Sequence, residues 1–198
     1  MVDFSNLNTV KSLLLLSTIL LFGSIWCGIV AFLRLKRKND VVYLLLFTIF
    51  YVYLYKVLDY TLFQFQTLIL LKHFIPDLIL NGVTAGQSLN LIPLVTLTTE
   101  DLRTSLLNIL LMLPFGFGLP FIADFSGTRI VIIGALFSIA IELVQLITGL
   151  TAQVTFRIAD INDVIFNTVG VAIGYVCFVG FVPVYGRISR KWMVSGCA

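Results

Sequence analysis

The most constraining feature of this sequence is a series of five apolar segments, each long enough to cross a lipid bilayer as a helix. The segments cover roughly residues 12–33, 41–62, 105–123, 129–149 and 161–183. A membrane helix needs about 20 mostly apolar residues. Because 59% of the residues are hydrophobic and mean hydropathy is +1.04, the composition also excludes an ordinary soluble domain. The predicted fold class is therefore all-α, a polytopic bundle of about five transmembrane helices.

The basic residues predict the orientation of these spans. With five spans, eight of the thirteen Lys and Arg residues fall on one side of the membrane: Arg34, Lys36, Arg37, Lys38, Arg129, Arg187, Arg190 and Lys191. The positive-inside rule then places the N-terminus outside and the C-terminus in the cytoplasm of a multi-pass cell-membrane protein. The apolar residues 63–80 leave an alternative open, because they form either a sixth span or an interfacial continuation of the second.

Three parts are predicted along the chain. Residues 1–87 form two membrane helices with an outer interfacial segment, 88–183 form the main membrane domain, and 184–198 form a short basic cytoplasmic tail. The three cysteines show no spacing typical of a metal site or a disulfide framework. A net charge of +3 does not indicate a nucleic-acid partner, and no cofactor or metal is predicted.

Polar residues within the last three spans all fall in the outer half of the bilayer in this topology. A charged side chain near lipid is costly unless it faces protein or water. These side chains are therefore predicted to line one outward-facing polar cleft with binding capacity. The candidate binding residues are Asn90, Asn108, Glu142, Gln145, Arg157, Asp160, Asp163 and Asn167.

Helical spacing supports this grouping, because the polar residues share stripes with small residues that let helices approach closely. One stripe contains Asn108, Met112 and Gly116, and a second contains Gly134, Ser138, Glu142, Gln145 and Gly149. The third contains Asp160, Asp163, Asn167, Gly170 and Gly174. The last three spans are predicted to pack through these Gly and Ser seams.

Glu142 is the best candidate for a catalytic residue, although its role stays open. An isolated buried carboxylate needs a proton or a cation, and Arg157 is the nearest basic residue across a short loop. Three roles for the pair of Glu142 and Arg157 stay open: fixing helix register, binding a ligand, or acid–base chemistry. Asp160 is expected to cap the fifth span, and the alternative, that two Asp residues and Glu142 hold a divalent cation, has no spacing that demands it.

Four ordered motifs resemble the VanZ-like family of membrane proteins over residues 88–180. They are Asn90-Leu91-Ile92-Pro93, the run from Asn108 to Phe117, Ile141-Glu142-Leu143-Val144-Gln145, and the run from Arg157 to Gly170 with the following Gly174-Tyr175. The resemblance implies a bacterial cell-envelope protein, and the founding member of the family is associated with teicoplanin resistance. The resemblance implies no established biochemical activity.

Three functions remain in competition. The first is binding of an amphiphile (a membrane lipid, a lipid-linked wall precursor or a lipoglycopeptide) that contributes to glycopeptide-type antibiotic resistance. The second is an enzyme acting on a lipid-linked or glycan substrate with Glu142 as general base. The third is a structural or assembly subunit with a membrane-protein partner. Enzymatic activity is therefore left uncertain.

Overall fold

The computed structural model describes residues 4–36, 41–63, 89–93, 99–152 and 159–195. The helices are α1 (Phe4–Lys36), α2 (Val41–Leu58), α3 (Thr99–Ile122), α4 (Gly127–Ala152) and α5 (Ile161–Ser195). A π-helical segment, Asp59–Phe63, continues directly from α2.

The helices contain five stretches that are long and apolar enough to cross a membrane. These are Ser12–Arg34, Val41–Leu62, Leu102–Ile122, Gly127–Thr148 and Ile161–Pro183, each within three residues of the predicted spans. The prediction of an all-α bundle with five spans is confirmed, and the protein is a multi-pass membrane protein. The orientation of its termini stays a prediction, and residues 64–80 lie outside the described part of the chain.

Two very short strands add to the helical fold. β1 (Leu89–Asn90) and β2 (Ala159–Asp160) pair in parallel, with Leu89 opposite Ala159 and Asn90 opposite Asp160. β2 ends where α5 begins, so this pairing fixes the chain just before the last membrane helix.

The third span belongs to a longer helix. Helix α3 starts at Thr99 and continues through Pro114 and Pro120 without a break. A proline removes one helical hydrogen bond. Transmembrane helices tolerate that loss because neighbouring groups satisfy the freed carbonyl.

The chain divides into two compact units. The first unit comprises Met1–Leu91 and Ala140–Asp160, and the second comprises Ile92–Ile139 and Ile161–Ala198. Helix α4 contributes its N-terminal half to the second unit and its C-terminal half to the first. The predicted division at residues 88 and 184 stays a prediction.

In the second unit, α3 packs against α5 through glycines. A Cβ added to Gly170 would overlap the backbone of Ile109, and one added to Gly174 would overlap the carbonyl oxygen of Leu113. On α4, a Cβ on Gly134 would lie 2.6 Å from Cγ2 of the fully buried Val171. The predicted small-residue seam between α3 and α5 is therefore confirmed, since only glycine permits these backbone approaches. Gly134 makes a similarly close contact at one position of α4.

Candidate functional site

The first unit contains a polar group that we call the Glu142 cluster. It consists of Thr61, Asn90, Glu142, Gln145 and Asp160. Glu142 and Gln145 lie on α4, Asp160 ends β2, Asn90 ends β1, and Thr61 belongs to the π-helical segment after α2. The cluster thus joins four separate parts of the chain.

Glu142 holds the backbone in front of α5. Its Oε2 atom accepts a hydrogen bond of 3.2 Å from the backbone N–H of Asp160, and the side chain of Glu142 is only 8% exposed. The carboxylate of Asp160 in turn accepts a bond of 3.1 Å from Nδ2 of Asn90. Asp160 directly precedes α5, which is the position predicted for an N-cap, and part of the role of Glu142 is therefore structural.

Gln145 joins α4 to the end of α2. Its Nε2 atom donates a bond of 2.9 Å to the carbonyl oxygen of Thr61. The last carbonyl groups of a helix have no partner within that helix, and the Gln145 amide satisfies one of them. Gln145 is 3% exposed, and its Oε1 atom is buried without a hydrogen-bond partner among the described residues.

The second unit contains another polar group, the Asn167 cluster, formed by Asn108, Ser138, Asp163 and Asn167. Nδ2 of Asn108 donates to Oδ1 of Asp163 at 2.6 Å. Nδ2 of Asn167 donates to Oγ of Ser138 at 2.8 Å, and both side chains are buried. Oδ1 of Asn167 is also buried and has no partner within the described residues.

The predicted location of these polar residues in one half of the bilayer stays a prediction. Asn108, Glu142 and Asn167 are each six residues from an end of their span. At about 1.5 Å per residue, six helical residues cover about 9 Å.

The predicted site residues in the described part of the chain therefore fall into two groups, one in each compact unit. Asn90, Glu142, Gln145 and Asp160 belong to the Glu142 cluster, whereas Asn108, Asp163 and Asn167 belong to the Asn167 cluster. That both groups line one cleft stays a prediction. Arg157 lies outside the described residues, and its predicted ion pair with Glu142 stays a prediction as well.

Two residues of these clusters were not among the predicted site residues. Ser138 was assigned only to a packing seam, although its position four residues before Glu142 on the same stripe was a usable signal. Thr61 takes part through its backbone carbonyl, and no side-chain pattern in a sequence reveals such an acceptor. In the same unit, Lys56 forms a local ion pair with Asp59 at 3.3 Å.

The chemistry of the Glu142 cluster is that of a hydrogen-bond acceptor site. Its members contribute two carboxylates and the Oε1 atom of Gln145, which together suit a ligand with N–H or O–H donors. Within the described ranges, no group of three or more His, Cys, Asp or Glu side chains is placed to hold a metal ion.

Five apolar helices long enough to span a membrane, with buried carboxylate and amide groups among their residues, define a polytopic helical membrane protein. The VanZ/LLP1 family matches residues 13–182. The chain belongs to the VanZ/LLP1 family, as its motifs predicted. No curated protein and no solved structure gives a significant match.

Proposed function

We propose that this protein binds an amphiphilic ligand of the bacterial cell membrane through the Glu142 cluster. The ligand class is a hydrocarbon chain with a head group that carries N–H or O–H donors. A membrane lipid, a lipid-linked wall precursor and a lipoglycopeptide share this chemistry. Through this binding, the protein contributes to glycopeptide-type resistance, the trait that its family resemblance implies.

The observation that carries this proposal is the buried Oε1 atom of Gln145. A buried polar atom without a partner costs about 1–3 kcal/mol, so most native structures avoid it. A ligand donor at this position removes that cost upon binding. The adjacent carboxylate of Glu142 provides a second acceptor three residues away on the same helix face.

The experiment measures binding of teicoplanin and phosphatidylethanolamine, which both carry N–H donors, to the purified full-length protein in nanodiscs. The wild type is expected to bind at least one probe saturably, and Gln145→Leu to bind it about tenfold more weakly, which corresponds to about 1.4 kcal/mol. Failure of the wild type to bind any probe, or equal binding by Gln145→Leu, contradicts the proposal.

A matched control is Thr168→Val, which removes a side-chain hydrogen bond from Thr168 Oγ1 to the Val164 carbonyl of the same helix. This variant lies in the second unit and should bind the probe like the wild type. Growth of cells that express each variant, measured against teicoplanin, then tests the contribution to resistance. The expected order is wild type and Thr168→Val above Gln145→Leu.

A structural or assembly role is the second candidate, and one observation favours it. None of the residues from Ser12 to Arg34 in α1 is buried. A helix with this much exposed surface suits contact with a partner span. Purification in mild detergent tests this role, because a stoichiometric second protein would support it and a monodisperse single chain would exclude it.

A further inference from the structure

We propose that a groove between α1 and α2 holds the hydrocarbon chain of the bound amphiphile, an inference that rests on the proposed function. The groove has a volume of about 340 Å³. Its walls include Phe22, Gly23 and Trp26 from α1, and Tyr51, Val52 and Tyr55 from α2.

The groove offers an apolar surface because several of its polar atoms already bond within the protein. Nε1 of Trp26 donates to Oγ1 of Thr48 at 3.3 Å, and the hydroxyl of Thr48 donates to the Leu44 carbonyl at 2.7 Å. The hydroxyl of Tyr51 donates to the Phe22 carbonyl at 2.8 Å. An occupant therefore finds few hydrogen bonds to make and must be hydrocarbon.

An aromatic wall gives the groove its shape. The Phe22 ring lies 5.1 Å from the Tyr55 ring and 6.4 Å from the Tyr51 ring, both in tilted geometry. Beside it, Gly23 leaves open space, since a Cβ added there would meet none of the described atoms within 4 Å. A flexible chain fits along such a wall, and a larger side chain at position 23 would fill its path.

The depth of the groove also favours a chain over a head group. Ile19 and Trp26, which both line it, are seven and fourteen residues from the start of the first span at Ser12. At about 1.5 Å per residue these positions are roughly 10 and 21 Å into a hydrocarbon layer of about 30 Å. A charged head group is unstable at that depth.

The volume of the groove, about 340 Å³, is at the low end of the about 300–1,000 Å³ typical of ligand sites. A segment of a single hydrocarbon chain matches that size.

The groove and the Glu142 cluster belong to the same compact unit. Helix α2 and the π-helical segment that continues it lead from Tyr55 in the groove to Thr61, whose carbonyl accepts the bond from Gln145. These two residues are six apart, or about 9 Å along the helix axis. The polar acceptors thus lie at the membrane-surface end of the groove, as an amphiphile with head and chain requires.

Fluorescence of Trp26 provides the test. The chain has two tryptophans, and Trp192→Phe leaves Trp26 as the only one. The full-length protein is reconstituted in phosphatidylcholine vesicles that contain a small fraction of phosphatidylethanolamine brominated in mid-chain. Bromine quenches the fluorescence of nearby tryptophan. We expect the quenching to show that brominated phosphatidylethanolamine is about tenfold more abundant beside Trp26 than random mixing of the lipids would give. Brominated phosphatidylcholine, whose head has no N–H donor, should quench only as random mixing requires.

Two α1 variants isolate the groove. Gly23→Leu fills it and should reduce quenching by brominated phosphatidylethanolamine to the random-mixing level. Gly28→Leu is the matched control. A Cβ added at Gly28 would also meet none of the described atoms within 4 Å, but Gly28 does not line the groove. Equal quenching in wild type, Gly23→Leu and Gly28→Leu overturns the inference, as does a disulfide between two copies of Gly23→Cys in high yield.

The head-group site is tested separately with Gln145→Leu. Both proposals are supported if Gln145→Leu loses the preference for phosphatidylethanolamine and Gly23→Leu reduces quenching to the random-mixing level. Retained enrichment in Gln145→Leu that Gly23→Leu abolishes supports the groove and overturns the proposed head-group site. Loss in Gln145→Leu without any effect of Gly23→Leu supports the head-group site and overturns the groove.

Discussion

The carboxylate of Glu142 and the backbone N–H of Asp160 are 3.2 Å apart, although 18 residues separate them in sequence. This bond fixes the residue that immediately precedes α5 to the face of α4. The most prominent intramembrane acid of the sequence therefore has a structural partner in addition to its proposed binding role. Substitutions at Glu142 must separate the two roles.

Glu142→Gln keeps an oxygen acceptor for the Asp160 amide, whereas Glu142→Ala removes it. We expect Glu142→Ala to be destabilised by about 0.5–1.5 kcal/mol because it removes the acceptor of a partly buried N–H. Glu142→Gln should stay close to the wild type. Unfolding in detergent measures the free energies, and hydrogen exchange at the Asp160 amide reports the lost bond directly. Equal destabilisation of both variants would show instead that the charge matters, as the predicted ion pair with Arg157 requires.

The hydrogen bond between Asn108 and Asp163 joins α3 to α5 at 2.6 Å. A double-mutant cycle with Asn108→Ala and Asp163→Ala should give a coupling energy of about 0.6–1.7 kcal/mol, the range of interhelical bonds within membranes. The control cycle pairs Asn108→Ala with Thr168→Val, whose hydroxyl bonds within its own helix. A coupling energy near zero in the first cycle would contradict the structure at this contact.

The glycines of α5 give a prediction with an internal control. Gly174→Ala places a Cβ against the Leu113 backbone, and overpacking of this kind costs about 1–3 kcal/mol. Gly180→Ala places its Cβ where none of the described atoms lies within 4 Å, so it should be neutral or up to about 1 kcal/mol stabilising through helix propensity. Thermal unfolding of both variants measures the difference. Similar melting temperatures would rule out the close approach of α3 and α5.

The predicted orientation is testable by cysteine labelling from outside the cell. Leu91 is 65% exposed in the segment before α3, and Ser126 is exposed between α3 and α4. In a variant without native cysteines, a membrane-impermeant maleimide should label Leu91→Cys in intact cells and label Ser126→Cys only after permeabilisation. The reverse pattern would place the N-terminus inside and the polar clusters in the cytoplasmic leaflet.

The sequence predicted the helical elements closely because hydrocarbon thickness imposes one length on every span. Gly170 and Gly174 were also assigned correctly to a packing seam, since helical periodicity places them on one face with Asn167. Helix α3 continues through both of its prolines. The effect of a proline in a membrane helix depends on how the surroundings satisfy the freed backbone groups, which local sequence does not specify.

For the functional residues, too, the sequence specified some features and the tertiary structure decided others. The sequence alone identified the family and grouped Asn108, Glu142 and Asn167 as polar residues of membrane spans. The choice of partners was decided only by the tertiary structure. Glu142 bonds a backbone amide, and Gln145 bonds the carbonyl of Thr61 within the π-helical segment. Almost every residue carries the same backbone groups, and only the path of the folded chain determines which of them a buried side chain reaches.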